Sequence, residues 1–414
     1  MSITAANRFL CGSPLANPRI ARFVAIVLAL LLEASVIVLV KFNLMSLEAS
    51  ALGVFIRGLL MSTALSSLLL LALWFLDRRE RESIWLYAVM FLWGALIATA
   101  VASPLDALLS SKAAHLQLLH AGVLKKLSEN SGQIFPLLFL APAIQELIKG
   151  IGVFVAFVML KSEFDGVRDG FVYGALVGIG FNLVDSSFYL ANAYAQTGVA
   201  SWWQYFVTHH ALLGFGGQAL YTGLFGMGLG LARQTTRPWL RVVAPVTGWF
   251  AGLLANILGT LMGWLTIFLA VSMAAQGLVP PFSPGDPLVS SSSFWALLIS
   301  GSYLSFFWSF PFVALAGLML WQSGEWERGV IRGELADELD PVITPAEYQA
   351  VLADRMLRTR RIPAVSRSLS AGIVNAQNEL ALRKWRLRHD GKPLEGDPLL
   401  VSWREELARL RGRA

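Results

Sequence analysis

Apolar runs recur along this chain at approximately 23–40, 51–76, 85–109, 133–160, 170–193, 204–232, 242–272 and 292–322. About 18 or more consecutive apolar residues are long enough to cross a bilayer as a helix. The fold class that follows is all-α: a polytopic membrane helix bundle of about eight transmembrane helices. A water-soluble fold is excluded by charge as well. Only 14% of residues are charged, against about 25% in an ordinary soluble domain. That charge is also concentrated, with 16 of the 33 Lys and Arg and 14 of the 27 Asp and Glu in residues 323–414. The chain therefore reads as a three-span scaffold (1–132), a four-helix core (133–272), a last span (273–322) and a small, basic, helical C-terminal tail (323–414).

Basic residues set the orientation. Arg8, Arg19 and Arg22 precede the first span, and Arg78, Arg79 and Arg81 follow the second. Lys161 and Arg168 follow the fourth, and Arg233, Arg237 and Arg241 follow the sixth. The opposite loops hold only Lys41, Lys112, Lys125 and Lys126. Cytoplasmic loops carry the Lys and Arg excess, so both termini are expected in the cytoplasm. The same rule explains a pI near 9.5 without nucleic acid: the expected surroundings are the lipid bilayer. The single cysteine, Cys11, excludes an intramolecular disulfide. The first apolar run is long and lacks a small-residue cleavage pattern, so no cleavable signal peptide is expected.

Between spans three and four, Leu116, Leu119, Val123 and Leu127 recur at helical spacing and predict an amphipathic helix on the outer interface. His115 and His120 there read as surface residues, and residues 280–287 as an external loop. In the tail, Thr344, Pro345 and Glu347 form a capping box with proline at the first helical position, predicting a helix over about 345–358. Residues 372–388 and 398–411 also read as helices. The basic runs at 358–361 and 383–388 read as a solvated face, with anionic lipid as the alternative.

Polar side chains inside hydrocarbon are expensive and mark function by default. Spans four to seven carry Gln145 and Glu146, Asp185, Gln218, and Asn256. Counted from the basic end of each span, Glu146 lies 14 residues from Leu160, Asp185 15 from Gly170, Gln218 14 from Ala232 and Asn256 14 from Val242. At 1.5 Å per residue all four are expected at one depth, about 20–23 Å in. Glycines on the fifth span (Gly170, Gly174, Gly178, Gly180) and sixth span (Gly214 to Gly230) are expected to let these helices approach closely. Glu33 and Arg57, in the first two spans, read as snorkelling charges or a mutual contact.

The blocks APAIQELIKG (141–150), DGFVYGALVGIGFNLVD (169–185), GQALYTGLFGMGLGLAR (217–233) and GWFAGLLANILGT (248–260) resemble, in this order, the PrsW family of intramembrane proteases. The ELADE segment at 334–338, followed by TPAE at 344–347, resembles longer members. The resemblance implies a site at Gln145, Glu146, Asp185, Gln218 and Asn256, with Lys149, Asp169, Tyr173 and Thr222 in support. The family's pattern has Glu at 145, Glu at 185, and His at 218 and 256; only Glu146 of those five positions is kept.

Peptide hydrolysis needs a carboxylate to take a proton from water and a His or metal to stabilise developing charge. Neutral amides do neither well. The resemblance thus implies a PrsW-like protein with an impaired site, no cofactor, and a membrane-embedded protein client that it binds or regulates. One alternative is an active, atypical peptidase using Glu146 and Asp185, with the amides as oxyanion donors and zinc admissible in that case alone. His209 and His210 would join such a site only through a helix break at Gly214, Gly216 and Gly217. A small-solute transporter is the third reading, disfavoured because the sequence shows no paired discontinuous helices.

Overall fold

The computed structural model describes residues 13–77, 83–114, 136–161, 163–200, 202–210, 214–275, 291–338, 340–354, 360–362 and 365–412. The expected interfacial helix with His115 and His120, and the loop at 280–287, lie outside these residues. Every regular element described is helical. The helices are α1 (Pro18–Val38), α2 (Ala49–Leu76), α3 (Ile84–Leu92), α4 (Thr99–Ala114), α5 (Ala141–Met159), α6 (Val167–Thr197), α7 (Trp202–His209), α8 (Gln218–Gln234), α9 (Pro238–Ala275), α10 (Ser291–Leu335), α11 (Pro345–Leu352), α12 (Arg367–His389) and α13 (Pro398–Arg411). Among the described residues, seven helical stretches are long and apolar enough to cross a membrane. Outward rows such as Phe23, Ile26 and Leu30 on α1, or Val242, Val246 and Phe250 on α9, are exposed as a lipid-facing surface requires.

The expected sixth crossing, 204–232, is not one helix. It divides into α7 and the 17-residue α8, with the chain turning at Gly214, whose φ is +89°. A positive φ costs glycine little, since it has no Cβ. The break also finds polar partners: the Asn182 side-chain amide donates to the His209 carbonyl at 3.0 Å, satisfying a backbone acceptor at the end of α7.

Helix α6 is the axis of the bundle and the most buried of the apolar spans. Its glycines explain this. A Cβ on Gly170 would stand 2.0 Å from the Gly226 carbonyl oxygen, and one on Gly178 would stand 2.1 Å from that of Gln218. Helices α6 and α8 therefore pack backbone to backbone, as small residues permit in membranes. On another face, a Cβ on Gly180 would meet the Phe91 oxygen at 2.1 Å, which brings in the third span. That span changes to π-helical winding over Trp93–Ala98, and the Trp93 indole donates to the Ile148 carbonyl on α5 at 3.1 Å.

The last crossing runs without interruption from Ser291 to Leu335, well beyond the expected end at 322. Its extension is tied to the bundle by a buried Arg168–Glu327 ion pair at 2.7 Å and a Gln234–Ser323 hydrogen bond at 3.0 Å. Beyond it, α11, α12 and α13 enclose a second core of Leu335, Ile343, Val351, Leu380, Leu400 and Leu407. The capping box forms as expected, with Thr344 and Glu347 exchanging bonds.

The basic residues of the 383–388 run are held in ion pairs, with Arg388 still 45% exposed. Arg383 pairs with Asp397, Lys384 with Glu338, Arg386 with Asp165 and Arg388 with Glu334. The Arg386–Asp165 pair joins the tail to the loop between α5 and α6, and Trp385 packs edge-on against Trp326 of α10, centroids 4.8 Å apart. The basic run is consumed by the fold.

Burial pushes the carboxyls of Glu347, Glu338 and Asp397 up, but hydrogen bonds from Arg411, Arg404 and Arg383 outweigh it and hold all three below their ordinary values. A depressed carboxyl stabilises the folded state above its unfolded pKa, about 4, and that contribution is lost as pH falls through the folded value. Hydrogen exchange across residues 345–411, corrected for intrinsic rates, is expected to be unchanged from pH 8 to 5 and to accelerate below about pH 4. Undiminished protection at pH 3 would show these pairs to be idle.

Candidate functional site

Helix α5 continues from π-helical winding over Pro136–Leu140 into Ala141–Met159, with Pro142 just past the junction. One face then carries Glu146 and Lys149, and the other faces of α5 include the exposed Leu147, Ile151 and Phe154. Spacing of i,i+3 puts the two charges side by side, and they form an ion pair of 2.5 Å. Glu146 is 2% exposed and Lys149 fully buried. Taking one charge out of water alone costs several kcal/mol, so a buried charge survives only when paired and fully hydrogen-bonded.

The surrounding helices supply those bonds. Asn256 of α9 donates to Glu146 Oε1 at 2.8 Å, and Thr222 of α8 donates to Glu146 Oε2 at 3.2 Å. The Lys149 ammonium donates to Gln218 Oε1, at the start of α8. It also lies 4.7 Å from the centre of the Phe181 ring on α6, a cation–π contact strengthened by desolvation. Four helices thus converge on one neutral cluster: Glu146, Lys149, Gln218, Thr222 and Asn256.

Asp169 and Tyr173 sit away from this cluster. Gly178, not Asp185, stands opposite the Gln218 backbone; Asp185 lies one helical turn beyond Phe181 on α6. The count from span ends failed because the ends are staggered. Gly170 stands opposite Gly226, six residues short of Ala232, so equal counts reach different depths. Asp169 is at the opposite end of α6, where its carboxylate accepts from the backbone N–H of Asp165 (3.0 Å) and Gly166 (2.7 Å) as a helix cap. Tyr173 is buried beside Phe164, ring centroids 5.2 Å apart. Gln145 is half-buried, about 100° around α5 from Glu146.

The helix break does not deliver a histidine to the layer. His210 instead turns to α2, its Nε2 3.3 Å from Ser62 Oγ, with Ser186 Oγ 3.4 Å from the same hydroxyl. Tyr205 donates to the Gly58 carbonyl at 2.7 Å beside them. Sequence reading passed over this second buried polar cluster because Ser62 and Ser186 look like ordinary small residues in apolar runs. Only the fold of α7 brings them to His210.

The four helices that meet at the Glu146 cluster all lie in a segment with relatives. Residues 82–279 match the model of the PrsW family intramembrane metalloproteases. This segment, just under half of the chain, is a PrsW-family domain. No curated protein and no solved structure matches it. PrsW membership and the apolar helices make it an integral membrane protein.

The family description implies a metal, and the cluster does not fit one. Among the described residues no three His, Cys, Asp or Glu side chains come together as a ligand set. Zinc is held by Cys, His and carboxylates. The only carboxylate of this cluster is bonded to an ammonium, an amide and a hydroxyl, and Asn256 turns its N–H donor rather than its oxygen toward that carboxylate. No catalytic step through a metal can be built from these residues.

Proposed function

We propose that this PrsW-family protein holds a membrane-embedded protein client without hydrolysing it, with both termini in the cytoplasm. The observation that carries the reading is the state of Glu146. A general base must reach a water with a free lone pair and a matched proton affinity. Both Glu146 oxygens already accept hydrogen bonds, three in all, and the Lys149 ammonium stands at 2.5 Å, which disfavours proton abstraction from water. Gln218 and Asn256 do not titrate, so the titratable groups of the cluster are Glu146 and Lys149, which are already bound to each other. The orientation is supported by the alternation of Arg and Lys between loops.

The peptidase reading, with Glu146 and Asp185 acting together, is disfavoured because Glu146 already accepts from Lys149, Asn256 and Thr222. Transport is disfavoured on new grounds. The broken sixth crossing removes the argument from continuous helices, but Glu146, Lys149 and Thr222 are 2% exposed or less, and a solute pathway needs its polar groups wetted.

The test uses full-length protein in liposomes with a panel of fluorescent single-span substrates. Energy transfer is expected to report binding to some of them, with every peptide recovered whole. Cleavage that vanishes in Glu146→Ala would overturn the non-hydrolytic half, and absence of binding across the panel would overturn the client half.

A further inference from the structure

We propose that the seam between the start of α9 and the end of α12 binds the headgroup of an anionic phospholipid, through Arg237 and Arg241. The proposal goes beyond the client reading and does not depend on it.

Three observations carry it. Arg237, Trp239 and Arg241 are exposed around the start of α9, and the exposed Val242, Val246 and Phe250 follow at once. The guanidiniums therefore stand where the lipid-facing surface gives way to headgroups, and Trp239 sits at the level that interfacial tryptophans favour. Charge is the second observation. Several arginines elsewhere are answered within the chain: Arg168 by Glu327, Arg386 by Asp165 and Arg411 by Glu347. Among the described residues neither Arg237 nor Arg241 makes an ion pair. The third is the tail. An Arg241 terminal nitrogen lies 3.2 Å from His389 Nε2, and since a guanidinium can only donate, the imidazole accepts. His389 in turn stacks on Trp385, ring centroids 5.3 Å apart, so the end of α12 stands on one side of the seam.

A phosphodiester fits what is left open. A guanidinium carries five N–H donors in a planar fork that matches phosphate oxygens. Arg241 uses one donor on His389 and keeps the rest, and Arg237, four residues earlier, adds a second fork. The acyl chains of the same lipid then lie along the Val242, Val246 and Phe250 row. A free phosphate compound would meet the arginines and leave that apolar row uncovered, so a lipid is the better occupant.

The experiment titrates full-length protein in detergent with dioctanoyl phosphatidylglycerol, dioctanoyl phosphatidylcholine or glycerol 3-phosphate, read by calorimetry. Wild type is expected to bind phosphatidylglycerol about 30-fold tighter than the other two, because each basic residue near a surface is worth about fivefold. Arg237→Gln with Arg241→Gln is expected to lose that factor of about 30, and either single substitution about fivefold. Exposed substitutions of this kind leave stability nearly unchanged; should the double variant fail to fold, the single ones carry the same test. Arg19 and Arg22, exposed at the start of α1, are the control for charge alone. Replacing both with Gln is expected to leave the affinity unchanged. Phosphatidylglycerol is also expected to slow hydrogen exchange over residues 383–390 in wild type. Equal affinity for the two lipids would overturn the proposal, and so would an equal loss in the Arg19 and Arg22 double variant, the mark of diffuse attraction. Glycerol 3-phosphate binding as tightly as the lipid would make the occupant a free phosphate compound and overturn it as well. Unchanged exchange in the tail would overturn the placement of the headgroup at the seam.

Discussion

Gly170→Val is expected to leave no monodisperse protein. The first added carbon would stand 2.0 Å from the Gly226 carbonyl oxygen, and the obstacle is backbone on a packed helix, not a side chain that can swing aside. Overpacking a core commonly costs about 1–3 kcal/mol, and here relief requires separating α6 from α8. Those helices carry the Phe181, Gln218 and Thr222 contacts, so the polar cluster should come apart with them. Gly317→Ala on α10 is the control: nothing lies within 4 Å of the position a Cβ would take, and alanine is the better helix former by about 1 kcal/mol. Fluorescence-detected gel filtration and a melting curve check both. A Gly170→Val chain with the wild-type peak and Tm would show that the α6–α8 approach is not needed for assembly.

The second large effect is expected at Glu146. Glu146→Ala strands the Lys149 ammonium without its anion and leaves the Asn256 and Thr222 donors without their acceptor. Removing one partner of a buried pair costs about 3–5 kcal/mol, enough to consume much of a typical 5–15 kcal/mol stability. The double variant Glu146→Met with Lys149→Met removes both charges at similar volume and is expected to recover most of that loss. The signature is therefore strong non-additivity between contacting sites. If denaturation gives additive losses for the two single variants and the double, the pair is not the electrostatic unit described.

Much of the fold was legible because its causes are local. Apolar run length marked the crossings, and Thr344 with Glu347 marked the start of α11. Gly170, Gly174 and Gly178 marked a close helix contact. The candidate residues Glu146, Gln218 and Asn256 were legible as expensive polar groups in hydrocarbon, and the PrsW blocks were legible from their order. The relative depth of the helices was not legible, because sequence counting assumes that all helices start at one level. The stagger of α6 against α8 is fixed by which glycines meet, a pairing that no single helix encodes.

The long apolar runs by themselves determined a membrane helix bundle, since a backbone in lipid must satisfy its own hydrogen bonds. Sequence also determined that the layer lacks the histidines and the second carboxylate of its family. The tertiary structure alone decided what the surviving groups do. It split the sixth crossing at Gly214, sent His210 to Ser62, and turned the 383–388 basic run inward onto carboxylates. It also closed Lys149 over Glu146 beneath Gln218, Asn256 and Thr222. These outcomes depend on distances between helices far apart in the chain, and a few ångströms of helix stagger decide whether a buried charge is paired.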